Sequence, residues 1–86
     1  MAYQIQFAAS AKKDREKIPK KDRDRIDKAI ALLGENPRPS KSNKLTGTEN
    51  LYRIRVGDYR VIYSISEKDV TVFIVRVRHR KEAYKK

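Results

Sequence analysis

The sequence predicts an α+β domain in which a two-helix antiparallel hairpin packs on one face of a mainly antiparallel four-stranded sheet. Three observations lead to this fold. Residues 3–7 alternate between apolar and polar side chains, as a half-buried strand does. Residues 20–35 carry apolar side chains at helical spacing. Residues 51–77 contain three strand-like segments separated by turn residues. The predicted order is strand, helix, helix, strand, strand, strand, in a single domain over residues 1–86.

A first helix is predicted over residues 10–17, directly after the first strand. Ser10 opens a charged stretch, and Ser10 or a neighbour is the candidate N-cap, because a serine hydroxyl can accept a hydrogen bond from the backbone of the first turn. Ala11 and Ile18 lie two helical turns apart and would form a thin apolar stripe. Pro19 either ends this helix or occupies the first turn of the next element.

A second helix is predicted over residues 20–35. Its apolar face follows the i, i+3, i+4, i+7 spacing and consists of Ile26, Ala29, Ile30 and Leu33. Gly34 and Asn36 are candidate left-handed C-cap positions, and the prolines that follow prevent the helix from continuing. Residues 38–50 then form a polar connection, in which Lys44 contributes positive charge.

Three strands are predicted in the second half of the chain. Residues 51–56 and 59–66 alternate, and the Gly-Asp pair between them suits a two-residue hairpin turn because glycine readily takes positive φ. Residues 67–68 are predicted to form the next tight turn. Residues 70–77 are apolar on both sides, as a central strand is. This last strand would run antiparallel to its neighbour and return beside Arg60.

Positive charge is the strongest global feature of the chain. Its 86 residues include 22 lysines and arginines against 11 acidic residues, which gives a net charge of +11. So large an imbalance in so small a domain favours a polyanionic partner over a merely solubilising surface. The partner classes that it predicts are a nucleic acid, a ribosome or an acidic protein.

Several other classes are excluded or disfavoured by composition. The chain has no cysteine and one histidine, which excludes disulfides, cysteine-ligated metal sites and histidine-cluster zinc sites. No cofactor is expected. The apolar stretch over residues 70–77 is much shorter than the roughly 18 residues of a membrane-spanning helix. The first five residues lack the basic and apolar regions of a secretory signal, so we expect a cytoplasmic protein without a membrane partner.

Arginines are predicted to cluster on one face of the hairpin. If the turn contains two residues, Arg55 pairs with Arg60, and Arg53 shares their face because alternate residues of a strand point the same way. The opposite, core-facing side then carries Tyr52, Ile54, Val56, Tyr59, Val61 and Tyr63. Opposed arginines repel one another unless an anion lies between them, and their forked donors match phosphate oxygens. A phosphate-binding face is therefore favoured over a solvated face of snorkelling side chains.

The chain end adds the further cations Arg76, Arg78, His79 and Arg80. Which face each occupies depends on the length of the preceding turn, because a shift of one residue exchanges the two faces of a strand. The sequence leaves this choice open, and for Arg76 a phosphate-binding role and a purely structural role are equally favoured.

The order of these elements resembles the RelE/ParE toxin superfamily. The resemblance covers nearly the whole chain and is most specific in the segments LYRIRVGDYRVIY (51–63) and RHRKEAY (78–84). It implies a twisted, mainly antiparallel sheet with two helices on one face, and neutralisation by an acidic, RelB-like antitoxin in a hetero-oligomer. It also implies one of two activities. RelE-like members cleave messenger RNA in the ribosomal A site, whereas ParE-like members inhibit DNA gyrase and lack the RNA-cleaving residues.

The resemblance to the RelE branch implies a metal-independent cleavage in which the ribose 2′-OH attacks the adjacent phosphate. The catalytic positions that it implies are Arg55, Arg60, Arg78 and Tyr84. Among these, Arg60 and Arg78 would hold the scissile phosphate, and Tyr84 would stack on a base or orient the 2′-OH. The positions expected to bind RNA or ribosomal phosphates are Arg53, Arg55, Lys44, Arg76 and Arg80.

The general base is the one point at which this chain departs from the RelE pattern. RelE-like members carry lysines where this chain has Arg53 and Arg55, and an arginine practically cannot give up its proton. His79 becomes a candidate base, because imidazole titrates near neutral pH. Two alternatives to the nuclease remain at this stage: a gyrase inhibitor without nuclease activity, and a nucleic-acid-binding module without catalysis.

Overall fold

The computed structural model describes residues 2–40, 42–45 and 51–83. In chain order the elements are β1 (Gln4–Phe7), α1 (Ala9–Glu16), α2 (Lys20–Glu35), β2 (Asn43–Lys44), β3 (Leu51–Val56), β4 (Tyr59–Ser66), β5 (Thr71–His79) and α3 (Arg80–Ala83). The helices and the four longer strands lie where the sequence predicts them, with ends that differ by a few residues. None of the described helices combines the length and the apolar character needed to cross a lipid bilayer.

The strands form one mixed sheet in the order β1-β5-β4-β3-β2. β1 runs parallel to β5, and every other neighbouring pair is antiparallel. The α+β class is therefore confirmed, but the sheet has five strands where four were predicted. The fifth strand, β2, contains only two residues of the polar connection. Two polar residues carry no apolar alternation, and a strand of this kind leaves no signal in the sequence.

The hydrophobic core lies between the two long helices and one face of the sheet. The helices contribute Ala11, Ile26, Ile30 and Leu33, the connection between them contributes Ile18, and the sheet contributes Ile54, Val61, Tyr63, Ile65, Val72, Ile74 and Val77. Tyr63 is the largest fully buried side chain, and its hydroxyl donates a hydrogen bond to the Pro37 carbonyl at 2.8 Å. The predicted apolar faces of the helices and of the hairpin are thus the faces that pack together.

The N-terminus of α1 differs from the prediction. The helix begins at Ala9 with Ala8 as its N-cap, and no side chain caps it. The Ser10 hydroxyl donates instead to the carbonyl of Val75 in β5, at 2.8 Å. Of the predicted candidates, Ser10 or a neighbour, the neighbouring Ala8 is the N-cap and Ser10 is not, because a partner from a distant strand, which local sequence does not reveal, takes the Ser10 hydroxyl.

Gly34 is required by a close contact with the N-terminal segment and not by a helix cap. Its carbonyl accepts a hydrogen bond from the Tyr3 N–H at 2.7 Å, and a Cβ at this position would lie 3.1 Å from the Tyr3 carbonyl oxygen. α2 ends at Asn36 in an extended conformation, with φ −146° and ψ 97°. The predicted left-handed C-cap at Gly34 or Asn36 was therefore wrong.

The two turns of the sheet have different outcomes. The hairpin turn after β3 is confirmed, since Val56 pairs with Tyr59 and Gly57 has a φ of +60°. The next turn is longer than predicted, because Ser66 pairs with Thr71 and residues 67–70 lie between them. Val70, the last residue of this loop, has a positive φ, which is an unusual conformation for a β-branched residue. The sequence predicts Val70 to be in the strand because its side chain is apolar.

A polar cluster around Glu67 joins one end of the sheet to the loop after α2. The Tyr3 hydroxyl donates to one carboxylate oxygen of Glu67 at 2.6 Å, and Arg38 donates to the other at 2.7 Å. Arg38 also donates to the Tyr52 hydroxyl at 3.2 Å. The hydrogen bond from Tyr3, followed by that from Arg38, lowers the pKa of Glu67 below its usual value.

We predict that Gly34→Ala destabilises the protein. In a helix interior this substitution normally stabilises, by about 0.5–1 kcal/mol. Here the new Cβ would lie 3.1 Å from the Tyr3 carbonyl oxygen, and the Tyr3–Gly34 hydrogen bond holds the two backbones together. We expect the free energy of unfolding, measured by urea denaturation, to fall by about 1–2 kcal/mol. An increase would contradict this explanation of the glycine.

We also predict that Glu67 makes stability depend on pH. Because its pKa is lower in the folded than in the unfolded state, its contribution is present above the ordinary carboxyl pKa of about 4.3 and is lost as the pH falls through the folded value. Glu67→Gln should lower the melting temperature at about pH 7 and should have a smaller effect at about pH 3. Glu16→Gln, at an exposed position, is the control. A difference for Glu67→Gln that is the same at both pH values would refute the prediction.

Candidate phosphate-binding site

Three arginines from three neighbouring strands line up across the outer face of the sheet, which is the face opposite α1 and α2. Arg55 of β3 pairs with Arg60 of β4, and Arg60 pairs with Arg78 of β5. Residues paired in this way share a face, with Cβ atoms about 4.5–5.5 Å apart. We call these three residues the arginine row. Arg55 is exposed, and the other two are half-buried.

A β-bulge shifts the register between β4 and β5. Tyr63 pairs with Ile74, whereas the residue before it, Ile62, pairs with Arg76, so that Val75 is an extra residue in β5. A bulge places two residues of one strand opposite one residue of its partner. The side chains that follow it therefore occupy the opposite face from the one they would have in an unbroken ladder.

The bulge determines the face on which Arg78 lies. Without the bulge, the register that pairs Tyr63 with Ile74 would continue along both strands. Arg60 would then pair with Val77, and the side chain of Arg78 would lie on the face that packs against the helices. In the structure Arg78 pairs with Arg60 on the outer face, and Val77 is buried in the core with 3% exposure. The bulge thus completes the arginine row and the core together.

The arginine row borders a small cleft at the hairpin turn. The cleft has a volume of about 140 Å³ and is lined by Arg55, Gly57, Arg60 and Arg80. The backbone N–H of Arg80 donates to the Asp58 carbonyl at 2.7 Å, and its guanidinium lies 3.8 Å from the Asp58 carboxylate. Guanidinium groups gathered around a turn suit a phosphate better than a neutral ligand. The turn residues Gly57 and Asp58 are members of the site that the sequence reading did not assign.

Arg53 and two members of the arginine row, Arg55 and Arg78, have no acidic partner among the described residues. Within residues 2–40, 42–45 and 51–83, no carboxylate pairs with any of these three. Asp58 pairs with Arg80 at the cleft, and the other ion pairs are Arg15–Asp27, Lys20–Asp24, Arg38–Glu67 and Arg76–Asp14. Like charges opposed on a sheet are destabilising, and an anion bound between them would relieve that repulsion. The electrostatics of this face therefore favour anion binding.

Beyond Arg53, in the direction away from the hairpin turn, the outer face of the sheet becomes apolar. Arg53 pairs with Ile62, and in the next row Leu51 pairs with Ser64. Phe73 lies in the same row and is 38% exposed. The predicted position of Arg53 on the arginine face is confirmed. The exposure of Phe73 was not predicted, because a residue within an apolar run gives no indication of which face is covered.

His79 lies on the other face from the arginine row. It pairs with Tyr59, whose ring it meets edge to face with centroids 5.1 Å apart, and Tyr59 packs against the core. Its Nδ1 accepts a hydrogen bond from the Lys81 N–H at 3.1 Å. This position separates the imidazole from the three guanidinium groups and argues against the predicted role of His79 as the general base.

Two other predicted site residues, Arg76 and Lys44, are not brought into the arginine row. Arg76 donates from Nε and Nη2 to the Asp14 carboxylate, at 2.9 and 3.2 Å. Lys44 is exposed and pairs with Tyr52, which belongs to the core-facing side of β3. Tyr84 lies outside the described residues. The part of the chain that the structure describes contains no group of three or more His, Cys, Asp or Glu side chains placed to hold a metal ion.

The fold has counterparts among known proteins. The mRNA interferase toxin RelE from Escherichia coli K12 matches with 33% identity over 88 residues. The match covers 98% of this chain and 92% of that toxin. It also matches toxin RelG from Mycobacterium tuberculosis, at 31% identity over 91 residues and over the whole of both chains.

Solved structures give the same result. The archaeal RelE–RelB complex from Pyrococcus horikoshii OT3 matches with a TM-score of 0.81 and 34% identity, over 93% of this chain and 97% of that one. The intact E. coli RelBE toxin–antitoxin complex matches with a TM-score of 0.82 and 30% identity, over 91% and 96%.

A family model described as the ParE toxin of the type II toxin-antitoxin system parDE matches residues 5–84. Apart from the first residue of β1, this match spans all the helices and strands of the described residues. Together with the sequence identity to the RelE and RelG toxins, it establishes that the chain belongs to the RelE/ParE toxin superfamily.

Proposed function

We propose that this protein is the toxin of a type II toxin–antitoxin pair and that it cleaves messenger RNA on the ribosome. The observation that carries the proposal is the arginine row, which presents three guanidinium groups from three strands to one place on the outer face. Relatives named mRNA interferase support the same activity. The arginine row would bind the scissile phosphodiester.

The chemistry that suits such a site is attack by the ribose 2′ oxygen on the adjacent phosphorus. A bond forms between the 2′ oxygen and phosphorus, the bond to the 5′ oxygen breaks, and that leaving oxygen takes up a proton. The five-coordinate phosphorus carries more negative charge than the starting diester. Fixed guanidinium groups therefore stabilise the transition state more than the substrate, and this difference is what accelerates the reaction. In this proposal the arginines, and no metal ion, supply the positive charge.

The positions of the arginines suggest separate roles. Arg60 lies between the other two members of the arginine row, so it and Arg78 would hold the scissile phosphate. Arg55 and Arg80 line the cleft and would hold a neighbouring phosphate. Tyr84 follows α3, which starts beside that cleft at Arg80, and we propose that it stacks on a base or orients the 2′-OH.

The base that removes the 2′ proton is not a member of the arginine row, because a guanidinium stays protonated at any working pH. His79 is disfavoured by its position on the other face. The arginine row would therefore act by binding and by electrostatic stabilisation, and another group would take up the 2′ proton.

The proposed partner is an acidic, RelB-like antitoxin that covers the arginine row. The net charge of +11 favours a partner of negative charge, and so do Arg55 and Arg78, which have no carboxylate partner among the described residues. The solved relatives include toxin–antitoxin complexes. A cytoplasmic location is proposed, because the ribosome and its message are there.

A second candidate function is inhibition of DNA gyrase without nuclease activity. The observation that favours it is that the matching family model is described as a ParE toxin. The curated relatives named RelE favour the nuclease. A supercoiling assay with purified gyrase separates the two, since the nuclease should leave supercoiling unchanged.

Removing a guanidinium from the arginine row should abolish most of the cleavage. We expect Arg60→Ala and Arg78→Ala each to slow cleavage of a translated message by about 10²–10³-fold, the usual effect of losing one preorganised donor to a developing anion. Toeprinting on a message undergoing translation measures the effect. Arg23→Ala, which removes the same charge from α2, is the control and should cut like the wild type. An intact message with wild-type toxin would contradict the proposal, and binding without cutting would favour a non-catalytic RNA-binding module.

His79→Ala should cut the message within about 3-fold of the wild-type rate. A general base typically contributes about 10²–10⁴-fold, so the assay distinguishes the two roles clearly. The expected result follows from the position of His79 on the other face of the sheet. A loss comparable to that of Arg78→Ala would show that the imidazole does reach the reacting ribose.

A further inference from the structure

The outer edge of β5 is covered by two different elements. Over its first half β5 pairs with β1, and this pairing ends where Phe7 meets Ile74. The last backbone hydrogen bond there runs from the Ala8 N–H to the Ile74 carbonyl, at 2.9 Å. Beyond this point the backbone groups on this edge need other partners, because an unpaired N–H or C=O away from water is costly.

Two side chains of α1 provide those partners. The Ser10 hydroxyl donates to the Val75 carbonyl at 2.8 Å, and the Asp14 carboxylate accepts from the Val77 N–H at 3.0 Å. Ser10 and Asp14 are four residues apart, so they lie on one face of α1. Val75 is the extra residue of the β-bulge, and Val77 is the first residue after the bulge to return to the core. α1 therefore holds the backbone on both sides of the bulge.

Arg76 completes this arrangement. It lies between the two anchored residues, and its Nε and Nη2 contact the two oxygens of Asp14 at 2.9 and 3.2 Å. The Asp14 side chain is only 16% exposed. Charge-assisted hydrogen bonds with little access to water are stronger than those on an open surface. The Asp14 carboxylate therefore binds both the backbone N–H of Val77 and the guanidinium of Arg76.

Core packing alone does not set the geometry of the bulge. It requires Ile74 and Val77 to face inward, which leaves two residues between them to be accommodated opposite Ile62. The arrangement of those two residues, and the orientation of the peptide at Val77, depend on what the backbone is bonded to. Because Arg78 directly follows that peptide, its position on the outer face depends on the same bonds.

We propose that Asp14 is a positioning residue for the arginine row. With Ser10, it fixes the bulge around Val75 and through it the position of Arg78. The inference rests on the proposed function, because it takes Arg78 to be a ligand of the scissile phosphate. The proposal also gives Arg76 a structural role in place of a phosphate-binding one, because Asp14 holds the guanidinium of Arg76.

The test compares Asp14→Ala with Asp14→Asn and with a matched control. Asn keeps an oxygen that accepts from the Val77 N–H, whereas Ala does not. The control is Asp27→Ala, since Asp27 forms a similar two-oxygen pair with Arg15, at 2.9 and 2.6 Å, but joins α1 to α2 and does not touch β5. Three quantities are measured on the full chain: the melting temperature, the nuclear Overhauser effect between the backbones of Arg60 and Arg78, and cleavage of a translated message.

For Asp14→Ala we expect a weakened Arg60–Arg78 Overhauser effect and a cleavage rate at saturating toxin that falls by about 10–10²-fold, the usual result of a misplacement near 1 Å. The toxin concentration for half-maximal cleavage should change by less than about 3-fold, because most of the binding surface is unaltered. Asp14→Asn should restore both readouts to nearly wild-type values. Asp27→Ala should lower the melting temperature but leave the Overhauser effect and the cleavage rate unchanged.

Two results would overturn the inference. One is an Asp14→Ala protein that keeps the Arg60–Arg78 Overhauser effect and the wild-type cleavage rate. The other is an Asp27→Ala protein that loses cleavage to the same extent, since the effect of Asp14 would then be one of general stability. If the wild-type protein cuts no message, the proposed function fails, and the Overhauser effect alone still decides whether Asp14 holds the register.

Discussion

β4 and β5 pair along the whole of β4, and the extra residue Val75 divides this pairing into two registers. Both faces of the sheet depend on that division. On the inner face it brings Val77 into the core, and on the outer face it brings Arg78 beside Arg60. A single inserted residue can do this because the side chains of a strand alternate with a period of two. The core and the arginine row are thus consequences of the same backbone feature.

Charge is distributed unevenly over the two faces. The carboxylates of the two long helices form ion pairs on the helical side or at the edge of the sheet, as at Asp27 and Asp14. The arginine row lies on the other side, where no carboxylate of the described residues pairs with Arg55 or Arg78. Opposed guanidinium groups weaken the pairing of the strands that carry them. The buried aromatic and aliphatic side chains under the helices offset this repulsion. An anionic ligand would therefore stabilise the fold as it binds.

The errors of sequence-based prediction have a common physical origin. Ser10 has the chemistry of an N-cap, but its hydroxyl bonds to the carbonyl of Val75, 65 positions away. Gly34 has the chemistry of a C-cap, but it lies inside the helix so that the backbone of Tyr3 can approach. Val70 has the chemistry of a strand residue, but it lies in a loop with positive φ. In each case a contact between distant segments outweighed a local preference.

Local pattern was enough to determine the fold class, the inward faces of both helices and of the hairpin, and the pairing of Arg55 with Arg60. These follow from periodicity and from the Gly57 turn, which are properties of neighbouring residues. Only the tertiary structure decided that Arg78 joins the row while His79 turns away. That choice depends on one extra residue in a strand, held by hydrogen bonds from a helix more than 60 positions earlier. Periodicity cannot reveal it, because both registers place an arginine in the same strand and differ only in the face it occupies.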